Sequence, residues 1–243
     1  MSILFNHVSR SFGSKNILKD VCFEVQTGEI LFILGKSGVG KSVTLKHIIG
    51  MLKPDSGEIF IDGTDVGSLD ENGLASVRRR CGMVFQQPAL LDSLNIYQNV
   101  AFGLKGDLDF KKIVLEKLSL VHLGSEILEK FPSELSYGMQ KRVSLARTLA
   151  PAPAYLLFDE PTTGLDPITT NAVNDLILEL SRKLKVTSVV VSHDMQCALK
   201  IADRILVLDQ ARILAIGSVS EIKQSREPLI QSFLSETFSM GAY

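Results

Sequence analysis

Apolar residues in the first third of the chain fall into short runs rich in β-branched and aromatic side chains. Residues 3–8, 21–25 and 30–34 read as strands separated by Gly-bearing or Asn-Lys breaks. After residue 42 the spacing changes. Val43, Leu45, Ile48, Ile49 and Leu52 recur near a helical period, which predicts a helix stopped by Pro54. Residues 58–61 form another strand ending at Asp62-Gly63, and Val84-Phe85 lead out of this part. Residues 87–150 are more polar and mainly helical, clearest over 114–121 and 137–150, and Pro151 and Pro153 close them. Alternation then resumes: strand 155–158, helix 169–184, strand 187–191, helix 194–201, strands 204–208 and 213–216. This pattern predicts an α/β fold with a mostly parallel sheet and a helical insertion at 87–150. The last hairpin carries Asp209-Gln210-Ala211-Arg212 rather than an Asn-Gly or Asp-Gly pair, which predicts a longer loop.

Composition narrows the class. Hydrophobic residues make up 45% of the 243, enough to offset the entropy of ordering, so general disorder is excluded. Lys and Arg number 26 against 27 Asp and Glu, a net charge of −1 that gives no overall reason to bind nucleic acid. No apolar run approaches the ~20 residues of a membrane-spanning helix. The N-terminus lacks a basic stretch followed by an apolar one, so no signal peptide is expected. Cys22, Cys81 and Cys197 are scattered and odd in number, which fits buried thiols in a reducing cytoplasm better than disulfides or a zinc site. Any membrane role is expected to come through a partner.

Three segments carry chemistry. Gly35-Lys36-Ser37-Gly38-Val39-Gly40-Lys41-Ser42 has the spacing of a phosphate-binding loop, between an apolar strand and an amphipathic helix. Its glycines let successive backbone N–H groups turn toward an anion, and the helix N-terminus faces the same phosphates. Lys41 is expected to reach the β- and γ-phosphates and the Ser42 hydroxyl to ligate Mg²⁺. The run Tyr155-Leu156-Leu157-Phe158-Asp159-Glu160 is an apolar strand ending in two acids at the carboxyl edge of the sheet. Asp159 is expected to hold Mg²⁺, directly or through water, and Glu160 to polarise an attacking water as general base. His193 follows a third strand toward the same edge, where its imidazole is expected to hydrogen-bond a γ-phosphate.

Together these residues resemble the nucleotide-binding subunit of an ABC transporter, over nearly the whole chain. Gly35–Ser42 looks like the Walker A loop, Leu156–Asp159 like Walker B, and Glu160 like its catalytic glutamate. Gln86 resembles the Q-loop glutamine and Leu135-Ser136-Tyr137-Gly138-Met139 the ABC signature. Gly164-Leu165-Asp166 resembles the D-loop, His193 the switch histidine, and Phe12 the aromatic residue that stacks on adenine. The resemblance implies one ABC ATPase domain over 1–243. Residues 1–86 and 151–243 would form a RecA-like core with an N-terminal antiparallel β subdomain, and 87–150 a helical signature subdomain. Glu160, His193, Lys41 and Gln86 would be catalytic. Phe12, Gly35, Ser37, Gly38, Gly40, Lys41, Ser42 and Val43 would bind ATP, and Ser42, Gln86 and Asp159 would hold Mg²⁺. Two copies would pair head to tail, with Ser136 and Gly138 of one donating to the γ-phosphate held by the other.

The commonest signature is Leu-Ser-Gly-Gly-Gln, so Tyr137 and Met139 are departures. Methionine at the fifth position, residues 159–170, residues 190–194 and the tail near 228–234 are similar to the ATPases of Mla/Mce-type phospholipid-transport systems. That likeness implies an integral membrane permease partner, with a lipid-binding Mce-type subunit and a small cytoplasmic regulator, and no nucleic acid. The location implied is cytoplasmic, peripheral on the inner face of the cell membrane. Small-molecule importer ATPases of the amino-acid type share most of these motifs, and a soluble ABC ATPase driving scaffold assembly is the reading from another class. Residues 87–97, with Leu90, Leu91, Leu94 and Tyr97, are either the surface that meets the permease or part of the insert's own core. Arg78-Arg79-Arg80 is either an anion or lipid-headgroup patch or, as a short basic run usually is, a solvated face. The tail 225–243 contacts a second copy or a partner, or frays.

Overall fold

The computed structural model describes residues 2–240, with the side chains of 237–240 outside the description. β1 (Ile3–Phe12) and β2 (Lys15–Val25) pair antiparallel, and β1 also pairs with β4 (Ser56–Ile61), which carries the short β5 (Thr64–Asp65). Both β1 and β2 run longer than the apolar runs alone predict. The chain turns at Gly13-Ser14, and the hairpin is carried on by polar positions such as Ser11 and Asn16, whose side chains hydrogen-bond at 2.9 Å. Polar residues on an exposed sheet face contribute no hydrophobic period, so pattern alone underestimates such strands.

The second sheet has the order β10-β9-β3-β8-β7-β6. Its members are β3 (Ile30–Leu34), β6 (Cys81–Val84), β7 (Tyr155–Asp159), β8 (Thr187–Ser192), β9 (Arg204–Asp209) and β10 (Arg212–Ser218). All pair parallel except β10, which closes one edge antiparallel to β9. The expected α/β class with a mostly parallel core is therefore observed. Strand alternation divides the interior in two. Ile30, Phe32, Leu34, Leu156 and Phe158 face one core, shared with the helices of the insert and of the C-terminal half. Leu31, Ile33, Tyr155 and Leu157 face the other, shared with the antiparallel sheet and α1 (Lys41–Ile48). Both faces of the parallel sheet are covered, which is why its strands read as continuous apolar runs.

Helix α1 is shorter than its periodicity suggests. It ends at Ile48, and the chain reverses at Gly50, in the left-handed region at φ 62°, well before Pro54. A side chain at Gly50 would meet Leu74 Cδ2 at 2.3 Å, so α2 (Glu71–Arg80) packs directly over this corner. Arg78 donates from Nε to the Ile49 carbonyl at 3.1 Å and from a terminal nitrogen to Gly50 O at 3.2 Å. Arg80 pairs with Asp62. Two of the three arginines expected to form a solvated face are thus engaged in capping and ion pairing, and Arg79 is exposed.

Between β6 and β7 lie α3 (Ile96–Ala101), α4 (Phe110–Leu120) and α5 (Tyr137–Leu149). Asn99 fixes the segment before α3. It is fully buried, donates to the carbonyls of Leu91, Leu94 and Asn95, and accepts from the Leu91 N–H at 2.8 Å. Leu90 and Tyr97 are partly buried against the insert's core and Leu94 is partly buried, leaving Leu91 as the exposed member of that apolar set. The C-terminal half adds α6 (Pro167–Leu184), α7 (Met195–Ile201), α8 (Val219–Lys223) and α9 (Pro228–Met240). The tail packs within its own chain: Ile230 and Leu234 are buried, and α9 lies against α7. Residues 241–243 of that tail lie outside the described residues.

The final hairpin corrects a sequence expectation. Its loop is a tight turn at Gln210 (φ 44°) and Ala211 (φ 67°), both left-handed, joining Asp209 directly to Arg212. The register of β9 with β10 imposes the turn that Asn-Gly would adopt freely, and Ala211 O is held by the Lys19 N–H at 2.7 Å.

Candidate active site

β3, β7 and β8 are adjacent and parallel, so their carboxyl ends converge on one edge of the sheet. The phosphate loop leaves β3 there, Asp159 and Glu160 leave β7, and His193 leaves β8. The loop, Glu160 and His193 bound a cavity of about 690 Å³ lined by Ser37, Gly38, Gly40, Lys41, Ser42, Val43, Gln86, Glu160 and His193 among others, and Asp159, outside that lining, is joined to it through Ser42. Gly35 lies beneath it, its carbonyl accepting from Lys41 Nζ at 2.8 Å.

The loop is built for an anion. Every helix from α2 to α8 has a side-chain N-cap, whereas α1 has none; its N-cap is Gly40, so the first-turn N–H groups face the cavity. Gly40 has φ 117°, and a Cβ there would lie 2.7 Å from Ile17 O, so only glycine fits. The Lys41 ammonium is buried, with Glu160 Oε1 at 3.4 Å.

The carboxylates differ in surroundings. Ser42 Oγ donates to Asp159 Oδ1 at 2.6 Å, joining the two groups expected at Mg²⁺. Glu160 sits in the left-handed region at φ 49°, a strained conformation for a side-chain-bearing residue. The backbone holds it there through its N–H to Val191 O at 3.0 Å. Its Oε2 lies 2.9 Å from His193 Nδ1 and accepts from Thr163 Oγ1 at 3.1 Å. The oxygen donors Ser42, Asp159 and Gln86 at a phosphate loop are a hard donor set that fits Mg²⁺.

Four expected residues lie elsewhere. Phe12 is half-exposed at the end of β1, outside the cavity lining, with the Arg10 guanidinium 5.0 Å from its ring centre. Ser136 caps α5, accepting from Met139 N–H at 3.3 Å, and Gly138 lies in the first turn of that helix. Both are outside the cavity of this chain. Asp166 of the D-loop segment caps α6, and its carboxyl is held below the ordinary range chiefly by the Thr169 hydroxyl and N–H.

Other lining residues escaped sequence reasoning. Lys36 and Thr163 stand inside recognised motifs and carry that positional signal. Ile17, from β2, and Phe233 and Glu236, from α9, also line the cavity. They reach it by tertiary packing alone. Away from the cavity, His7, Asp20 and Cys22 bring ligand atoms within 4.8 Å of one another on the β1–β2 hairpin, all exposed. No helix of the described residues is long and apolar enough to cross a membrane.

This arrangement of phosphate loop, strand-end acids and inserted helices defines an ATP-binding cassette, and residues 18–163 match the sequence profile described as ABC transporter. The chain belongs to the ABC transporter family. A probable ribonucleotide transport ATP-binding protein, mkl, of Mycobacterium tuberculosis is 39% identical over 239 residues, 96% of this chain and 66% of that protein. The methionine import ATP-binding protein MetN of Brucella abortus is 41% identical over 232 residues, 93% of this chain and 63% of that protein. This chain therefore spans just under two-thirds of the length of these relatives. Among solved structures, the cassette MJ0796 in a dimeric post-hydrolysis state with ADP and Pi superposes with TM-score 0.80 at 32% identity, covering 89% of this chain and 98% of that one. cbiO1 of Clostridium perfringens, part of the cbiONQ transporter complex, superposes with TM-score 0.85 at 29% identity, covering 96% and 94%.

Proposed function

We propose that this chain is the ATP-hydrolysing subunit of a transporter, acting as a head-to-tail pair beneath a membrane permease and energising phospholipid transport. The observation that carries the ATPase reading is the convergence of Lys41, Ser42–Asp159 and Glu160–His193 on one cavity beside an uncapped helix N-terminus.

The residues divide the work. Backbone N–H groups of the phosphate loop and the Lys41 ammonium bind the β- and γ-phosphates. Ser42, Asp159 and Gln86 would hold Mg²⁺, which supplies charge neutralisation across the phosphates when bound. Glu160 orients a water against the γ-phosphate and accepts its proton. His193 and Thr163 fix Glu160 Oε2, so Oε1 is the oxygen turned to Lys41 and the phosphates. Ser136 accepts its cap bond and keeps its O–H for the γ-phosphate of the second copy. ATP thereby favours the closed pair, since only that pair supplies both sets of donors.

Glu160→Gln keeps the hydrogen-bonding shape and removes the base. It is expected to lower turnover by about 100-fold or more and to accumulate an ATP-bound dimer on size exclusion. Parental turnover in that variant rejects the base assignment.

The lipid assignment is supported by Met139 and the flanking likenesses to phospholipid-transport ATPases. A small-molecule substrate is the second reading, favoured by the names of relatives that handle ribonucleotide and methionine. Gentle detergent extraction from the native cell, with mass spectrometry of what co-purifies, separates them. A multi-span subunit with phospholipid supports the first; a multi-span subunit with a solute-binding partner and no phospholipid supports the second. A soluble scaffold without any membrane protein removes the transport role and leaves the catalytic assignments standing.

A further inference from the structure

Lys141, on the first turns of α5, is 4% exposed, and burial pulls its ammonium below the ordinary lysine range. A buried charge is costly unless compensated. Among the described residues no carboxylate forms an ion pair with it. Its Nζ instead donates to the carbonyl of Gln86 and, at 3.1 Å, to that of Pro161. The ring of Tyr137, one helical turn earlier on the same face, lies with its centre 5.5 Å from that nitrogen. The Tyr137 hydroxyl in turn donates to Gln86 O at 3.4 Å and Gln87 Oε1 at 3.3 Å. Gln86 follows β6 and lines the nucleotide cavity; Pro161 is the residue after Glu160. Two side chains of α5 therefore grip the backbone at two points of the catalytic edge. Tyr137 is also a position where this chain departs from the commonest signature sequence.

We infer that Tyr137 and Lys141 are positioning residues: they clamp the backbone of Gln86 and Pro161 to the N-terminal turns of α5, so that helix and catalytic edge move as one piece. Displacement of the inserted helices is thereby carried to Gln86 and to the strained Glu160. Neither side chain touches the reacting atoms. The kinetic consequence rests on the ATPase reading above, whereas the mechanical one does not.

Lys141→Met removes the buried charge at similar volume; relief of the buried charge offsets part of the cost of leaving the Gln86 and Pro161 carbonyls without that donor, so the fold is expected to stay intact with at most a small fall in melting temperature. The mechanical measurement is amide hydrogen exchange in the full chain. Exchange over residues 85–88 is expected to rise by about ten-fold in Lys141→Met and in Tyr137→Gly, with β3 and β8 unchanged. Lys141→Arg, which keeps the charge, is expected to stay near the parent, and Tyr137→Phe, which keeps the ring but loses the hydroxyl bonds to Gln86 and Gln87, to lie between the parent and Tyr137→Gly. Unchanged protection at 85–88 in Lys141→Met overturns the clamp, whether or not the protein hydrolyses ATP.

In steady-state kinetics, Lys141→Met is expected to lower kcat by about ten-fold with KM within about two-fold. If it acts through Gln86, adding it to Gln86→Ala costs nothing further. Full additivity of the two substitutions, or an unchanged kcat in Lys141→Met, sinks the catalytic part. Absence of turnover in the parent rejects the ATPase reading and leaves the exchange result to decide the clamp.

Discussion

Lys41 shows how one residue's placement sets its chemistry. Its Nζ is held by Gly35 O at 2.8 Å and Lys36 O at 3.2 Å, which aims a buried cation along the phosphate loop. Lys41→Ala is expected to weaken ATP binding by about 100-fold, the loss of one charge-assisted contact of about 2–3 kcal/mol. Titration with a fluorescent ATP analogue checks this, and parental affinity would contradict the phosphate-loop assignment. Asp62 is a structural counterpart. Burial pushes its carboxyl up, but hydrogen bonds from Tyr155 Oη at 2.6 Å and from Arg80 outweigh this and hold it below the ordinary carboxylate range. A depressed folded-state value stabilises the fold above the unfolded-state value of about 4, and that stability is lost as the pH falls through the folded one. Asp62→Asn should therefore melt below the parent at neutral pH and converge with it in strong acid. Parallel melting curves across that range would dissociate Asp62 from acid stability. The thiols follow burial in the same way. Those of Cys81 and Cys197 are both pushed up to about 12, chiefly by desolvation, so alkylation near neutral pH should reach the exposed Cys22 first.

At the scale of elements, the β9–β10 hairpin shows sequence and register in conflict. Gln210 and Ala211 both occupy left-handed conformations that Asn and Gly adopt with less strain. Gln210→Asn with Ala211→Gly should stabilise the protein by about 1 kcal/mol, read as a shift in denaturant midpoint at constant slope. The backbone bond from Lys19 N–H to Ala211 O survives both changes, so the gain isolates the turn. Helix α5 is the opposite case. Ser136 as N-cap, the apolar positions Val143, Leu145, Ala146 and Leu149, and Pro151 beyond its end all agree with its helical state. Helix α2 lay outside the sequence reading because its mean hydropathy is low and Leu74 and Val77 are its buried members. Its local signals are Asp70, whose carboxylate accepts from the Gly73 N–H at 2.8 Å, Glu71 in the first turn and Arg78–Arg80 in the last.

At the scale of the molecule, ligand binding and stability are linked. On the roles proposed above, ATP with Mg²⁺ would be held by both the phosphate loop after β3 and Asp159 at the end of β7, so it should raise the melting temperature by mass action. Chelating the metal with EDTA should remove most of that rise in the parent, and Asp159→Asn should show little rise with metal present. An equal ATP-dependent shift with and without Mg²⁺ would contradict the roles given to Ser42 and Asp159. The same linkage extends to the pair: the donor sets of Ser136 and of the phosphate loop lie apart within one chain.

The α/β class, the strands of the parallel sheet and the meeting of Lys41, Ser42, Asp159, Glu160 and His193 at one sheet edge were legible in the sequence. Their signals are local. A strand buried on both faces is a continuous apolar run, and a phosphate loop needs small residues at fixed spacing between a strand and a helix. Tertiary structure decided what depends on distant partners. It ended α1 at Ile48 and reversed the chain at Gly50, where α2 leaves no room for a side chain. It imposed a tight turn on Gln210-Ala211 through strand register. It brought Ile17, Phe233 and Glu236 to the cavity from β2 and α9. It also buried Lys141 against two carbonyls and an aromatic ring. Apart from the β9–β10 register and the Tyr137 ring one helical turn from Lys141, these are contacts between segments separated along the chain, and such contacts leave no periodicity and no spacing to read.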